Sequence, residues 1–235
     1  MPGEFNEAAV NGLQVEGDDE VERVAIAVDA CQHTIDAAVD AGATMLIVHH
    51  GLFWGREQPL TGPHGRRVRS LVKGGLNLYA SHLPLDANEA HGNNSELGRL
   101  LGLEEMVPFG SYRGTPIGWG GRAAPRTLDE IGALLERKLG FTPKLFAFGP
   151  EKVERIAMVS GGGSSSIGEA ISEGYDLLIT GEAPHYAFFD AEEGGVNLAL
   201  AGHYASETLG VKALGRAIEA KFGLPVTFID HPTGL

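Results

Sequence analysis

The sequence predicts an α/β fold in which two duplicated units are intertwined, each with a mixed sheet layered between helices. Short apolar runs on consecutive positions alternate with stretches whose apolar residues recur every three or four positions. The runs are typical of strands buried on both faces, and the stretches are typical of helices that cover them. A segment near the start of the chain also recurs after the middle, which indicates duplication.

The predicted elements fall into three segments, residues 1–102, 103–150 and 151–235. The first is an α/β half with strands at residues 24–28, 45–48 and 77–80 and helices at 35–39 and 68–71. The middle segment is predicted to be a β-rich connection with a helix at 128–139 and a strand at 144–148. The last is a second α/β half with strands at 156–159, 177–179, 197–201 and 226–229 and helices at 167–171 and 211–222.

The internal repeat relates residues 21–54 to residues 153–186 without a gap, at an offset of 132, with nine of 34 positions identical. A shared order of strand, helix, glycine and strand accounts for some of these identities. The next strand repeats too, because NLYASHLPLDA and LALAGHYASET each end in a histidine and, four residues later, a carboxylate. Two such halves facing each other across a pseudo-two-fold axis could bring these side chains together.

Composition limits the classes of partner. Lys and Arg total 18 against 31 Asp and Glu, for a formal net charge of −13, which argues against nucleic acid or an anionic membrane as a partner. The single cysteine, Cys31, cannot form an internal disulfide, and no apolar run is long enough to span a membrane. The start of the chain lacks the pattern of a signal peptide, so the expected location is cytoplasmic.

Histidines and carboxylates follow the predicted strands at their carboxyl ends, where sites gather in α/β sheets. His49 and His50 end the second strand, His82 and Asp86 follow the third, and the last cluster lies in GHYASETLG. The histidine pair could instead have one buried and one solvated ring. Pro84 predicts an extended or turn conformation at Leu83, and Asp86 could simply cap the segment that follows.

The third cluster opens a long helical pattern. His203 and Glu207 would lie one turn apart on the same helix face, and the alternative is a helix start capped by Ser206 with Glu207 in the first turn. Mixed imidazole and carboxylate ligands suit zinc, iron, manganese or nickel. Their number exceeds the three protein ligands that a single catalytic zinc usually takes, so two divalent metal ions are expected, and Glu207 could bridge them.

The chain resembles the dinuclear metal-centre proteins, whose bacterial members are often named GTP cyclohydrolase 1 type 2 homologues and whose fold is called Nif-three-like. The resemblance rests on five motifs in the family's order: NGLQVEG at residues 11–17, LIVHHG at 46–51, SHLPLD at 81–86, ITGEAPH at 179–185 and GHYASE at 202–207. Gly51 stands where many members have proline. The chain also lacks the insertion domain that some members carry between the halves.

The resemblance implies a set of site residues. Five side chains would bind two metal ions: His49, His50, Asp86, His203 and Glu207. The position of His82 lies beside the metals in the family without being a regular ligand, so it is expected to carry protons or contact substrate. The family also implies a homohexameric toroid, with GTP as a small-molecule substrate and hydrolytic opening of the purine ring as the reaction.

Two further segments supply candidates. The glycine-rich SGGGSSSIGEA, residues 160–170, could cradle a phosphate, and Ser164 and Asn11 are expected substrate contacts. A tight strand-to-helix turn with a serine cap is the favoured explanation of this segment. Glu182 and His185 could orient a metal ligand or act as general bases. Alternatively, Glu182 caps a helix and His185 lies on the surface.

The sequence therefore predicts a metal-dependent hydrolase acting on a nucleotide or phosphoester. The alternative is a non-catalytic metal-binding scaffold, regulator or metal chaperone. Four arginines are the nearest candidates for binding phosphate, or else form a solvated helix face: Arg56, Arg66, Arg67 and Arg69.

Overall fold

The structure is a computed structural model that describes residues 5–235. Its strands are β1 Gly12–Val15, β2 Val24–Asp29, β3 Met45–His50, β4 Asn77–Ala80, β5 Glu104–Tyr112, β6 Thr115–Thr127, β7 Lys144–Phe146, β8 Lys152–Val159, β9 Leu177–Thr180, β10 Asn197–Leu200 and β11 Val226–Phe228. Its helices are α1 Gln32–Asp40, α2 Gly62–Lys73, α3 Leu83–Asp86, α4 Asn93–Leu101, α5 Leu128–Leu139, α6 Ile167–Ser172, α7 Tyr186–Gly194 and α8 His203–Phe222. The predicted α/β fold with mixed sheets is confirmed.

The chain divides into two compact units. The first contains the described part of Met1–Leu85 together with Val211–His231, and the second contains Asp86–Gly210 together with Pro232–Leu235. The boundaries of these units differ from those of the predicted segments 1–102, 103–150 and 151–235. The three segments describe the duplication and stay a prediction. The difference arises because Leu97 and Leu101 of α4 pack in the core of the second unit. No helix in the described residues is long and apolar enough to cross a membrane.

In the first unit the described strands form one sheet in the order β1-β4-β3-β2-β11. All neighbours are parallel except β1, which pairs antiparallel with β4 at the edge. Ala25 and Leu46 pack on one face with Ile35 of α1. Ile26 on the opposite face packs with Leu214 of α8, because successive residues of a strand point to opposite sides. Both faces are therefore buried, as the consecutive apolar runs predict.

In the second unit the described strands form a sheet in the order β5-β6-β8-β9-β10-β7. The strands β8, β9 and β10 are parallel, and the flanking pairs are antiparallel. The predicted β-rich connection supplies β5 and β6, which form a hairpin that continues this sheet. Arg113 and Gly114 connect its strands with positive φ angles of 49° and 88°, as a type I′ turn requires.

The structure confirms the internal repeat at the level of strand register. Val24 of β2 lies opposite Met45 of β3, and Ile156 of β8 lies opposite Leu177 of β9, so both partners shift by the same 132 residues. The third strands, β4 and β10, begin at Asn77 and Asn197. Asn77 lies opposite Met45 and Asn197 lies opposite Leu177, which are the equivalent positions of the repeat. Each unit thus contains the same ladder of three parallel strands with an antiparallel strand at its end.

One local prediction is wrong. The proline at position 84 was expected to keep Leu83 extended or in a turn, but Leu83–Asp86 forms the short helix α3. Proline is tolerated in the first turn of a helix, because backbone N–H groups there have no partner within the helix. The helix places Asp86 at its last position.

A buried asparagine starts each third strand and binds the loop that follows the antiparallel strand at the end of the ladder. The Oδ1 atom of Asn197 accepts hydrogen bonds from the backbone N–H groups of Phe148 and Gly149, at 3.0 and 2.9 Å. Its Nδ2 donates to the carbonyl oxygen of Pro150 at 2.9 Å. Asn77, at the start of β4, also bonds three backbone groups, those of Gly17, Asp18 and Thr44. An asparagine supplies both a donor and an acceptor here, which an apolar residue cannot do.

We expect Asn197→Ala to lower the free energy of unfolding by about 1–3 kcal/mol, because it removes these bonds at a nearly inaccessible position. Urea unfolding followed by circular dichroism measures the change. Glu193→Ala, at an exposed position of α7, is the control and should change the free energy by less than about 0.5 kcal/mol. Equal stability of both variants would contradict a structural role for the asparagine.

Candidate functional site

Three imidazole rings cluster at the strand ends of the first unit. His49 and His50 are the last residues of β3, and His82 follows β4. Each offers one ligand atom, and these atoms lie within 4.8 Å of one another. The ring centroids are 4.6 Å apart for His49 and His50, and 4.9 and 5.4 Å apart for His82 and each of the pair. Both histidines of the pair thus serve one cluster.

The Nδ1 atom of each ring is held by an oxygen. His49 Nδ1 lies 3.0 Å from the carbonyl oxygen of Ser81, and His50 Nδ1 lies 2.8 Å from Oδ1 of Asp29. His82 Nδ1 is hydrogen-bonded to Oε2 of Glu7. Since a carbonyl or carboxylate oxygen only accepts, each Nδ1 donates, and a neutral ring then presents its lone pair at Nε2.

Glu7 is a residue that the sequence analysis missed. Its side chain is only 3% exposed, and its second oxygen, Oε1, accepts a hydrogen bond from Nδ2 of Asn11 at 2.7 Å. Oδ1 of Asn11 in turn accepts from the backbone N–H of His82 at 2.7 Å. Asn11 was expected to contact substrate, and the structure places it where it holds Glu7 and His82. The bond between Glu7 and His82 joins residues 75 positions apart, which no local pattern reveals.

A second cluster lies in the second unit, at the start of α8. His203 Nε2 is 3.2 Å from Oε1 of Glu207, one turn later, and His203 Nδ1 is 3.0 Å from Oε1 of Glu182. Glu207 is buried, and Ser206 lies inside the helix as a hydrogen-bond partner of Gly161 instead of capping it. The predicted placement of His203 and Glu207 on one helix face is confirmed.

The two carboxylates raise the pKa of His203 to about 9. The largest cause is the hydrogen bond to Glu207, and burial opposes the shift. The imidazole therefore carries a proton at neutral pH in the absence of a metal. A cation bound through His203 would have to displace this proton.

Asp86, the remaining expected ligand, is buried in the second unit. Its Oδ1 accepts hydrogen bonds from Nδ2 of Asn93 at 2.8 Å and from Oγ of Ser160 at 3.0 Å. The backbone oxygen of Asp86 is 3.4 Å from Nδ2 of Asn94. Carboxylates that bind metals are commonly oriented by such hydrogen bonds. Asn93 and Ser160 carried no metal-ligand signal in the sequence, because amides and hydroxyls are common in turns and caps.

The glycine-rich loop packs against the second cluster. Gly161 has a φ of +60°, and a Cβ atom there would lie 2.3 Å from Oε1 of Glu207. Beyond Gly161 the loop lines a cavity of about 470 Å³ together with the segment after β9. Ser164 and Glu182 both line this cavity. His185 is exposed, and its ring is nearly perpendicular to that of Phe189, with the centroids 5.4 Å apart.

The candidate phosphate-binding arginines have different environments. Arg56, Arg66 and Arg69 are exposed, whereas Arg67 is partly buried in the first unit. Nη1 of Arg67 lies 3.4 Å from the carbonyl oxygen of Ala30, which follows β2. Phosphate binding by these residues stays a prediction.

The donor chemistry fits a borderline divalent metal in both units. The first unit offers imidazole nitrogens with oriented rings. The second offers the pair His203 and Glu207, and separately the buried carboxylate of Asp86. Imidazole and carboxylate together suit zinc, iron, manganese or nickel, whereas calcium and magnesium prefer oxygen alone. The residues present therefore suit the metals predicted from the sequence.

Comparison with known proteins places these features in a family. A family model described as Duf34/NIF3 (NGG1p interacting factor 3) matches residues 2–234. A Deinococcus radiodurans protein named GTP cyclohydrolase 1 type 2 homolog is 43% identical over 99% of this chain and 89% of its own length. A Pyrococcus abyssi protein of the same name is 47% identical over 98% of this chain and 93% of its own length.

Solved structures agree with this assignment. The protein ybgI, described as of unknown function, matches with a TM-score of 0.93 at 38% identity and covers 100% of this chain and 94% of its own. The resemblance carried by the five motifs is confirmed.

Gly161→Ala should destabilise the fold by at least about 1–2 kcal/mol, because a side chain disfavours a positive φ and the new Cβ meets Glu207. The same collision displaces the Glu207 carboxylate, so less zinc should be retained after gel filtration. Gly162→Ala is the matched control, since nothing lies within 4 Å of its Cβ position. Urea unfolding and zinc analysis that fail to separate the two variants would contradict this account.

Proposed function

The chain belongs to the Duf34/NIF3 family, and from this premise we propose that it is a metal-dependent hydrolase with a dinuclear metal centre. The observation that supports the proposal most strongly is the cluster of histidines at the ends of β3 and β4, each with Nδ1 held by an oxygen. Metal-binding histidines almost always donate their other ring N–H in this way.

The proposal assigns five ligands to two divalent ions, of zinc, iron, manganese or nickel. They are the ligands implied by the motif resemblance: His49, His50, Asp86, His203 and Glu207. When bound, two such ions supply polarisation of a substrate oxygen and activation of water near neutral pH. The proposal also includes a homohexamer, which the resemblance implies, and a cytoplasmic location, which the sequence predicts.

The chain's own residues have separate tasks in this scheme. Ser164 lines the cavity of the second unit and contacts the substrate, while Glu182, at the same cavity, moves a proton. His82 and His185 are further candidates for proton transfer. The hydrogen bond from His203 orients the Glu182 carboxylate, which lines this cavity.

The proposed substrate is a nucleotide or another phosphoester. Several relatives are named GTP cyclohydrolase 1 type 2 homolog, which makes GTP the first substrate to test. Hydrolytic opening of its purine ring breaks the bond between C8 and N9: water supplies a hydroxyl to C8 and a proton to N9, which leaves a formamide.

The alternative is a non-catalytic metal-binding scaffold, regulator or metal chaperone, and one observation favours it. Among the described residues that line the cavity of the second unit, Glu182 is charged and there is no lysine or arginine. A lining without lysine or arginine lacks the side chains that most often bind a triphosphate.

Elemental analysis of protein purified without added metal should find about two equivalents of transition metal per chain. His203→Ala and Glu207→Ala should each lower this content, because each removes a proposed ligand. His33→Ala, which removes an exposed imidazole outside both clusters, should leave it unchanged. If metal is absent even after reconstitution with zinc, manganese and iron, the dinuclear centre is wrong.

The metal-loaded chain should hydrolyse GTP or p-nitrophenyl phosphate, and Glu182→Gln should lower the rate by about 100-fold or more with metal content retained. Loss of purine absorbance and release of p-nitrophenol are the two measurements. Stoichiometric metal without turnover of either compound would support the scaffold or chaperone alternative instead.

A further inference from the structure

We propose that the second unit binds a single phosphate group, free or on a small molecule, in a cavity between Arg122 of β6 and Arg155 of β8. This cavity is not the one that Ser164 and Glu182 line, and it shares no residue with either histidine cluster. The proposal therefore depends neither on a metal nor on hydrolase activity. The cavity has a volume of about 260 Å³ and is lined by Glu105, Val107, Gly121, Arg122, Arg155 and Tyr175.

Strand register brings the two arginines together. Arg122 lies directly opposite Arg155 in the antiparallel pair of β6 and β8. Side chains at such positions point to the same face of the sheet, with Cβ atoms about 4.5–5.5 Å apart, and like charges there destabilise the pair. An anion bound between the two guanidinium groups would remove this repulsion.

The neighbouring carboxylates neutralise the arginines only in part. Oε2 of Glu154 lies 3.8 Å from Nη1 of Arg122, but these side chains are 49% and 62% exposed, so their ion pair contributes little. Arg155 forms no ion pair with a carboxylate of the described residues. The carboxylate of Asp176 is close in sequence space to β8, yet its Oδ2 accepts from the backbone N–H groups of Glu154 and Arg155. The guanidinium of Arg155 thus keeps its charge for a ligand.

A buried tyrosine positions Arg155. The guanidinium carbon lies 5.0 Å from the centroid of the Tyr175 ring, and Tyr175 is only 7% exposed. A Cβ atom at Gly120 would lie 2.0 Å from Oη of Tyr175, so the ring fits against β6 because position 120 has no side chain. A guanidinium held on an aromatic ring loses less conformational entropy when it binds an anion.

Strand β5 contributes an irregular part of the lining. Its register against β6 shifts between Glu104 and Val107, and Glu105 within this stretch has a positive φ of 50°. Residues other than glycine rarely adopt this conformation, and both bulges and strained backbone concentrate at functional sites. The irregularity therefore agrees with a binding site at this cavity.

The lining selects the class of anion. Guanidinium groups bind carboxylate and phosphate oxygens in pairs, but one guanidinium already occupies both oxygens of a carboxylate. A phosphate monoester has three terminal oxygens and can bind Arg122 and Arg155 together. The carboxylate of Glu105 disfavours further negative charge, and the volume is below the roughly 300–1,000 Å³ of typical ligand pockets. A single phosphate group fits these limits better than a triphosphate.

The test is isothermal titration calorimetry of the full-length protein with inorganic phosphate and with ribose 5-phosphate, before and after treatment with a chelator. Phosphate bound to a metal is lost on chelation, whereas binding of about one phosphate group per chain between the arginines should persist. Arg122→Gln and Arg155→Gln should each weaken this binding by about 10-fold or more, because each removes hydrogen bonds between charged groups.

Arg137→Gln is the matched control, because it removes an exposed arginine of α5 that is not part of the cavity, and it should leave the affinity unchanged. Tighter binding of ribose 5-phosphate would assign the site to a phosphorylated small molecule, and equal binding would assign it to phosphate itself. Binding that survives both arginine variants, that chelation abolishes, or that acetate matches in affinity would overturn the proposal.

A further pair of variants keeps both arginines in place. Val107 lines the cavity and is 50% exposed, so a longer polar side chain can be accommodated there. The new carboxylate of Val107→Glu should compete for the guanidinium groups and weaken phosphate binding by about 10-fold or more, whereas Val107→Gln should weaken it less. Urea unfolding verifies that both variants are folded. Unaltered phosphate affinity of Val107→Glu would refute the site.

Discussion

The candidate ligands of the first unit depend on the parallel pairing of β3 with its two neighbours. Parallel strands bring their carboxyl ends to one edge of the sheet, and the residues that follow them share that edge. His50 bonds Asp29 at the end of β2, whereas His49 bonds the backbone just after β4. Each neighbouring strand thus orients one ring of the pair. An antiparallel neighbour would bring its amino end to this edge and could not supply these contacts.

The repeated ladder shows how one scaffold can carry different side chains. His50, the last residue of β3, corresponds at the offset of 132 to Glu182, which lies just after β9. In each unit this residue meets the histidine that follows the third strand: His50 lies beside His82, and Glu182 is bonded to His203. The shared strand register preserves this relation while the chemistry changes from imidazole pairs to a carboxylate and an imidazole.

The sequence predicted some of these features and missed others. The buried strands and the helix that carries His203 and Glu207 follow from apolar spacing, because that spacing directly reflects which face is buried. Leu83 was placed wrongly, because the exclusion of helix before proline weakens at a helix start. Glu7 and Ser160 were missed as site residues because their contacts, with His82 and Asp86, cross about 75 positions of the chain. Contacts at that separation depend on the assembled sheet and leave no periodic signal.

Electrostatics connects the acidic composition to the proposed cation sites. The pKa of His203 is raised to about 9 because two carboxylates lie against its ring, and the same negative potential attracts a divalent cation. In the first unit the carboxylates of Glu7 and Asp29 stand behind the imidazole rings and supply negative charge that offsets the charge of a bound cation. A chain with a net charge of −13 is a poor general binder of phosphate, yet its acidic groups are well placed to hold a metal. An anionic substrate would then be attracted by the ions more than by the protein, which ties substrate binding to metal occupancy.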